Sequence, residues 1–212
     1  MKNVIKGFFS RDKKDTSREL THPSQLKAGD LLKLDDSFLL PEMLMGQMYT
    51  VVEVNTYQFE FEHYPEWVLK NERGEVLFIT LEDEDGEDMV NFSIKIERSV
   101  VESLFDMDEF AEIFEDEGTT LNVQGDKAGL EKWLDSGYHQ TSQAKRGYFY
   151  SVDYRGSSPP DDEDCGEPFD TFELESEDGL KGLGIEIWST GETDVYLSIC
   201  RPISDIRELW PK

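Results

Sequence analysis

Residues 67–104 read WVLKNERGEVLFITLEDEDGEDMVNFSIKIERSVVESL, and this stretch largely determines how the chain is expected to fold. It contains runs of β-branched and aromatic residues of strand length, separated by turns at Gly74 and Gly86. Such runs are typical of the strands of an antiparallel meander. A helix is predicted after the last strand, because two capping-box spacings follow: Ser99 with Glu102, and Asp106 with Glu109.

The same pattern recurs 105 residues later, where residues 172–209 read FELESEDGLKGLGIEIWSTGETDVYLSICRPISDIREL. Ten of the 38 aligned positions are identical, and they include the turn glycines, which become Gly179 and Gly191. A shift of the middle strand by one residue brings its apolar face into register. This shift aligns Leu77, Ile79 and Leu81 with Leu183, Ile185 and Ile187. Chance similarity between two meanders is the alternative explanation.

We therefore predict an α+β, mainly β fold of two related units of antiparallel meander sheet, each followed by a helix, produced by an internal duplication. Residues 1–25 are expected to form a basic amphipathic terminus and linker, residues 26–118 the first unit, and residues 119–212 the second unit. The second unit contains a long acidic loop at residues 161–170, DDEDCGEPFD, which has no counterpart in the first unit.

The chain is strongly acidic, with 21 Lys and Arg residues against 47 Asp and Glu residues and a net charge of −26. A surface with this charge repels nucleic acid and attracts a basic partner. We therefore predict a basic protein partner and no direct contact with nucleic acid. The residues expected to bind this partner lie in two acidic stretches and are Glu82, Asp83, Glu84, Asp85, Asp161, Asp162, Glu163 and Asp164.

The stretch LEDEDGEDM, residues 81–89, has the glycine and several of the acids of a calcium-binding loop. With Gly86 at the sixth position of such a loop, Leu81 and Phe92 occupy the first and twelfth positions, where oxygen ligands are required. The second unit retains the glycine as Gly191 but lacks the acidic run. The stretch therefore predicts a tight acidic hairpin rather than a calcium site.

The sequence contains no recognisable motif for binding a metal or a cofactor or for catalysis. The three histidines, His22, His63 and His139, lie far apart, and Cys165 and Cys200 have no metal-ligand spacing. The sequence contains no GxxxxGK[ST] phosphate loop and no GxSxG motif. We predict no metal site, no cofactor and no catalytic residue, so the protein is not expected to be an enzyme. The sequence does not decide whether the two cysteines form a disulfide.

Residues 1–14, MKNVIKGFFSRDKK, are basic, because five Lys and Arg residues oppose one Asp and give a net charge of +4. Apolar residues fall on one side of a helix with lysines beside them, which is typical of a helix that lies on an anionic membrane surface. A frayed or docked terminus is the alternative. The residues of the candidate membrane anchor are Lys2, Val4, Ile5, Lys6, Phe8 and Phe9.

The first unit resembles a family of bacterial β-rich domains of unknown function that are often encoded near phage-shock-type membrane-stress genes. The resemblance rests on LKAGDLLKL, YTVVEV and EWVLKNERGEVLFITLED, and it covers about residues 26–96. The second unit departs from the pattern, because Phe172 stands where the first unit has Trp67. The resemblance implies a β-rich architecture and a membrane-stress setting, and it implies no catalytic residue.

From these patterns we predict a cytoplasmic, non-enzymatic protein-interaction module with peripheral contact at the inner membrane. Two alternatives stay open. The first is an acidic nucleic-acid mimic that binds a basic protein. The second is a ligand-binding or hydrolytic protein with a cleft between the two units, which requires a deep pocket that contains an acid with a raised pKa.

If residues 1–14 form the anchor, we expect the full-length chain to float with anionic liposomes at low salt. A truncation that contains only residues 15–212 should then stay at the bottom of the gradient. Moderate salt should weaken flotation, because the electrostatic part of the attraction is screened. Equal behaviour of the two chains in the flotation assay would contradict the anchor.

Overall fold

The computed structural model describes residues 18–84, 86–115, 118–127, 129–160 and 165–212. Within these ranges the chain is mainly β, and no helix has the length and apolar composition needed to cross a membrane. Two short α-helices, α1 (Arg98–Leu104) and α2 (Met107–Glu112), and the 3-10 helices Pro23–Gln25 and Ile203–Asp205 accompany the strands. The strands are β1 (Leu31–Leu34), β2 (Met48–Gln58), β3 (His63–Lys70), β4 (Val76–Glu84), β5 (Glu87–Ile96), β6 (Thr120–Asn122), β7 (Gly137–Tyr150), β8 (Glu167–Glu175), β9 (Lys181–Trp188), β10 (Thr193–Pro202) and β11 (Ile206–Trp210).

These strands form one antiparallel sheet in the order β11-β1-β2-β3-β4-β5-β10-β9-β8-β7-β6. The two halves of the sheet meet where β5 pairs with β10, and Ser93 lies opposite Ser198 there. Strand β2 pairs with β7 as well as with β3, and Gln58 lies opposite Tyr148 in this second contact between the halves. The pairing of β2 with β7 closes strands β2, β3, β4, β5, β10, β9, β8 and β7 into a ring.

The two faces of this ring differ in polarity, because alternate residues of a strand point to opposite sides. On β4, Leu77 and Ile79 belong to the main hydrophobic core, whereas Thr80 lines a polar cavity. The hydroxyl of Tyr57 on β2 lies close enough to Glu186 on β9 to lower the pKa of its carboxyl, and β7 and β8 separate these two strands in the ring. This contact across the ring places the polar face inside and the main core outside.

Elements outside the ring cover the main core. Phe110 of α2 and Leu44 of the segment between β1 and β2 are buried in it. Trp67 of β3 is 1% exposed, and its Nε1 donates a hydrogen bond to the carbonyl oxygen of Leu26 at 3.0 Å. The buried indole nitrogen is therefore satisfied, and it holds the residues that precede β1 against the sheet.

The two predicted helix starts have different outcomes. Asp106 caps α2, because its side chain accepts hydrogen bonds from the backbone nitrogens of Asp108 at 2.9 Å and Glu109 at 3.2 Å. The predicted cap at Ser99 is wrong. The chain enters α1 directly from β5, with Glu97 as the N-cap residue, so Ser99 already lies in the first turn.

The helix predicted after the second meander is wrong. A 3-10 helix, Ile203–Asp205, follows β10, and the chain continues as β11, which pairs with β1 and places Leu209 opposite Leu32. This pairing satisfies the backbone groups on the outer edge of β1. An ion pair between Arg207 and Asp35 fastens the strand and lowers the pKa of the Asp35 carboxyl. The last strand of the second unit thus extends the sheet of the first.

Gly147 of β7 lies opposite Phe169 at the point where the ring closes. A Cβ atom at Gly147 would lie 2.5 Å from the ring of Phe169 and 2.8 Å from that of Phe59. We expect Gly147→Ala to lower the free energy of unfolding by about 2 kcal/mol in urea denaturation, because these buried rings have no room to move.

Gly184→Ala in β9 is the matched control, since a Cβ atom there would lie 3.9 Å from its nearest neighbour, the Cβ of Tyr196. This control should leave the stability unchanged or slightly raise it. Equal stabilities of the two variants would contradict the described packing at the closure.

Candidate functional site

The interior of the ring contains a cavity of about 370 Å³, referred to below as the cleft. Both halves of the sheet contribute to its walls, with β2 to β5 on one side and β8 to β10 on the other. Its aromatic and carboxyl side chains include Tyr57, Tyr64, Glu66, Phe169, Glu186 and Tyr196. Ser93 and Ser198, the residues that face each other where the halves join, also line the cleft.

Side chains of β3 alternate between the two faces of the sheet. Trp67 and Leu69 point to the main core, so Glu66 points to the opposite side, into the cleft. Glu66 is only 8% exposed, and its Oε1 accepts a hydrogen bond from Nδ2 of Asn55 at 3.2 Å. Burial raises the pKa of the Glu66 carboxyl to about 7, although the Asn55 hydrogen bond opposes the change.

Glu186 enters the cleft from β9, in the other half of the sheet. Burial, followed by the negative charge of Glu66, raises the pKa of the Glu186 carboxyl to about 8, and the hydrogen bond from Tyr57 acts in the opposite direction. The Oε2 atom of Glu186 is buried and has no hydrogen-bond partner among the described residues. The negative charge of Glu66 thus acts on Glu186 inside the cleft.

Aromatic side chains form one end of the cleft. Tyr57 stacks on Tyr64 with a centroid distance of 5.7 Å and meets the edge of Phe169 at 5.4 Å. Burial raises the pKa of the Tyr57 hydroxyl well above its ordinary value, and it also raises those of Tyr64 and Tyr196. These tyrosines therefore keep their protons at neutral pH, and their hydroxyls are available as neutral hydrogen-bond donors.

Two glycines of β9 lie in the wall of the cleft. Gly182 and Gly184 alternate with the core residues Leu183 and Ile185, so both glycines face the cleft. A Cβ atom on Gly184 would meet nothing closer than 3.9 Å. The absence of a side chain at Gly184 therefore widens the cleft, whereas the space beside Gly182 is filled by Ser198, whose Oγ would clash with a Cβ atom on Gly182.

Of the acidic residues predicted to bind a partner, some lie at the cleft or at the β4–β5 hairpin, and the others lie outside the described residues. Glu82 is exposed at the cleft, where its carboxylate accepts a hydrogen bond from Asn91. Asp83 lies at the β4–β5 hairpin, and its Oδ1 accepts a hydrogen bond from the backbone nitrogen of Gly86 at 3.0 Å. Glu84 ends β4, and its side chain is not described. Asp85, Asp161, Asp162, Glu163 and Asp164 lie outside the described residues, as do the anchor candidates Lys2, Val4, Ile5, Lys6, Phe8 and Phe9.

The four predicted turn glycines occur at turns with positive φ. The φ values are +83° for Gly74, +85° for Gly86, +70° for Gly179 and +87° for Gly191. This left-handed region favours glycine, because a Cβ atom is strained there. Cys165 and Cys200, whose pairing the sequence left open, are not joined to each other by a disulfide.

Sequence reasoning missed Glu66 and Glu186 because 47 acidic residues made no single pair informative. The signal that could have identified Glu186 is its position in β9, between the core residues Ile185 and Ile187 and on the same face as Gly182 and Gly184. An acid that shares a strand face with glycines indicates that this face is a polar interior rather than a surface exposed to solvent. The closure of the ring, which makes that face interior, is not encoded in any local pattern.

Comparison of the chain with known protein families, with curated proteins and with solved structures gave no match. The resemblance of the first unit to the bacterial β-rich domain family therefore stays a prediction. In the part of the chain that the structure describes, no group of three or more His, Cys, Asp or Glu side chains is arranged to hold a metal ion.

The raised pKa values predict that stability falls as pH rises. The folded protein binds protons more tightly at Glu66 and Glu186 than the unfolded chain does, so their contribution is complete below the ordinary pKa of 4.5 and is lost as pH rises through about 7 and 8. We expect Glu66→Gln and Glu186→Gln each to raise the free energy of unfolding at pH 8.5 by about 2 kcal/mol.

Urea denaturation between pH 5 and 8.5 measures this effect. The exposed Glu87 provides the control, and Glu87→Gln should leave the pH dependence of the wild type unchanged. Parallel pH profiles for the wild type and both cleft variants would show that neither carboxyl has a raised pKa.

Proposed function

We propose that the protein binds a small organic ligand in the cleft between the two halves of the sheet. The observation that carries this proposal is the placement of two carboxyls, Glu66 and Glu186, inside a cavity of about 370 Å³. A ring of eight strands has an interior that side chains can fill or that can hold one small ligand. Burial of carboxyls without a cation costs stability, so their presence supports a role in binding.

The ligand-binding alternative that the sequence left open requires a deep pocket that contains an acid with a raised pKa. The cleft and the raised pKa of Glu186 support this alternative over the acidic interaction module. The proposal is binding without catalysis. A hydrolytic role would require turnover of a bound ligand, and a product assay with each ligand tests for this.

We also propose that the two halves arose by internal duplication. The sheet order supports this origin, because β1 to β5 on one side mirror β6 to β10 on the other. Ser93 and Ser198, which the repeat aligns at an offset of 105 residues, lie directly opposite each other. An approximate two-fold axis through this pair would relate each unit to the other, and equivalent positions meet where such an axis crosses a sheet.

The pairing registers within the units also support duplication. Trp67 lies opposite Ile79, and their counterparts Phe172 and Ile185 lie opposite each other in the second unit, with the middle strand shifted by one residue as the sequence predicts. The following hairpin differs. Ile79 lies opposite Phe92, but Ile185 lies opposite Val195, two residues before the counterpart of Phe92. A shift of two keeps the same faces inside.

Binding of a basic protein by an acidic surface stays a second proposal. The net charge of −26 supports it, as do the exposed side chains of Asp83, Glu87 and Asp88 at the β4–β5 hairpin. The nucleic-acid mimic is a special case of this surface, and competition by DNA for the captured partner would identify it. A cytoplasmic location and contact with the inner membrane belong to the same proposal.

A screen of small organic compounds by ligand-observed NMR, followed by calorimetry, tests the cleft. We expect at least one compound to bind with a Kd below 1 mM, an affinity of about −4 kcal/mol that a partly enclosed site readily supplies. Gly184→Leu should abolish this binding, because the new side chain fills the cleft.

Thr120→Leu on the edge strand β6, outside the ring, is the matched control and should bind as the wild type does. Circular dichroism checks that both variants fold. Binding that survives Gly184→Leu in a folded protein, or a screen without a single binder, would contradict the proposal.

A further inference from the structure

The class of ligand can be inferred from the chemistry of the cleft, and this step rests on the proposed function. We propose that the ligand is a small primary amine, whose ammonium group binds at the carboxyl pair of Glu66 and Glu186 and whose carbon chain lies along the aromatic end of the cleft.

Unsatisfied acceptors support an ammonium group. In the described part of the chain, two buried oxygens near the carboxyl pair lack a hydrogen-bond partner: Oε2 of Glu186 and Oδ1 of Asn55, whose amide donates to Glu66. Asn55 is only 4% exposed. A missing ligand that satisfies acceptors must bring donors, and an ammonium group brings three donors together with a positive charge.

The charge of the cleft points to the same ligand. Its wall carries Glu66 and Glu186, and Asp194 adds a negative charge that raises the pKa of Glu186. The nearby lysines have partners of their own: Lys95 Nζ lies 2.6 Å from Asp194, and Lys181 Nζ donates to the carbonyl oxygen of Leu134 at 2.8 Å. The carboxyl pair is therefore left without a cation in direct contact among the described residues.

One aromatic residue that lines the cleft, Phe59, is already in contact with an ammonium group of the chain itself. Lys145 Nζ, which lines a neighbouring pocket, lies over the ring of Phe59, 4.2 Å from its centroid, and Phe59 belongs to the same buried cluster as Tyr57 and Phe169. This contact shows that the ring of Phe59 accepts a cation on its face. The faces of these rings offer the carbon chain of an amine a partly apolar surface next to the carboxyls.

The repeat shows that the carboxyl pair is not a by-product of symmetry. The counterpart of Glu66 in the second unit is Thr171, and the counterpart of Glu186 in the first unit is Thr80. All four residues line the cleft. At these two pairs of equivalent positions, each unit therefore supplies one carboxyl and one hydroxyl, and the two carboxyls come from non-equivalent strands, β3 and β9. This arrangement suits one ammonium group of a ligand that lies between β3 and β9.

Calorimetry with 1,4-diaminobutane and with 1,4-butanediol, its uncharged analogue of similar size, tests the inference. At pH 8.5 and 150 mM NaCl, both carboxyls are largely ionised and the surface charges are screened. We expect the diamine to bind at least 50-fold more tightly than the diol. Glu66→Gln and Glu186→Gln should each weaken diamine binding at least tenfold, as expected for the loss of a charge-assisted hydrogen bond.

Two controls separate the cleft from the acidic surface. Glu87→Gln removes an exposed charge and should leave diamine binding unchanged, while Gly184→Leu should abolish it. Equal weakening by all three Glu→Gln variants would mean that the diamine binds the surface, and it would overturn the inference.

The failure of this inference is distinguishable from failure of the proposed function. Tight binding of the diol or another uncharged compound, abolished by Gly184→Leu, would overturn the amine and leave the ligand cleft intact. Absence of binding by the diamine, by the diol and by every compound of the screen would overturn both.

Discussion

The antiparallel pairing of β5 with β10 is the contact on which the rest of the structure depends. It joins two half sheets, each with an apolar face, into one continuous surface on which the main core is built. The same pairing turns the opposite faces of the halves towards each other, and the contact between β2 and β7 completes the enclosure. A single edge-to-edge contact therefore creates both the core that stabilises the fold and the polar interior that forms the cleft.

The polar interior lowers the stability of the folded protein. An apolar side chain in place of Glu66 or Glu186 would remove the desolvation of a carboxyl and would add hydrophobic burial. The chain instead retains Glu66 and Glu186, together with other acids, tyrosines and glycines, on the faces that surround the cleft. Proteins depart from the most stable choice of residues mainly at functional sites. This favours the cleft over the acidic surface as the functional site that we propose.

The sequence predicted the local structure well and the global closure not at all. Strand-length runs of β-branched and aromatic residues, separated by turn glycines, predicted the antiparallel meanders. The one-residue shift of the middle strand agrees with the pairing of Ile185 with Phe172. The end of the chain was misjudged, because residues 206–210 form a strand only through pairing with β1, a partner about 175 residues away. Long-range pairing also brings Glu66 and Glu186 together, so the local pattern of β9 could indicate Glu186 but not the pair.

The most direct test of this account is a side-chain carbon NMR titration of Glu66 and Glu186, with Glu66→Gln and Glu186→Gln to assign the carboxyl signals. We expect the two carboxyls to titrate near pH 7 and 8 and the removal of Glu66 to lower the pKa of Glu186. Titration of both carboxyls near their ordinary pKa of 4.5, unaffected by the second substitution, would show that they are solvated and separate. In that case the ring would not enclose a cleft of the kind described.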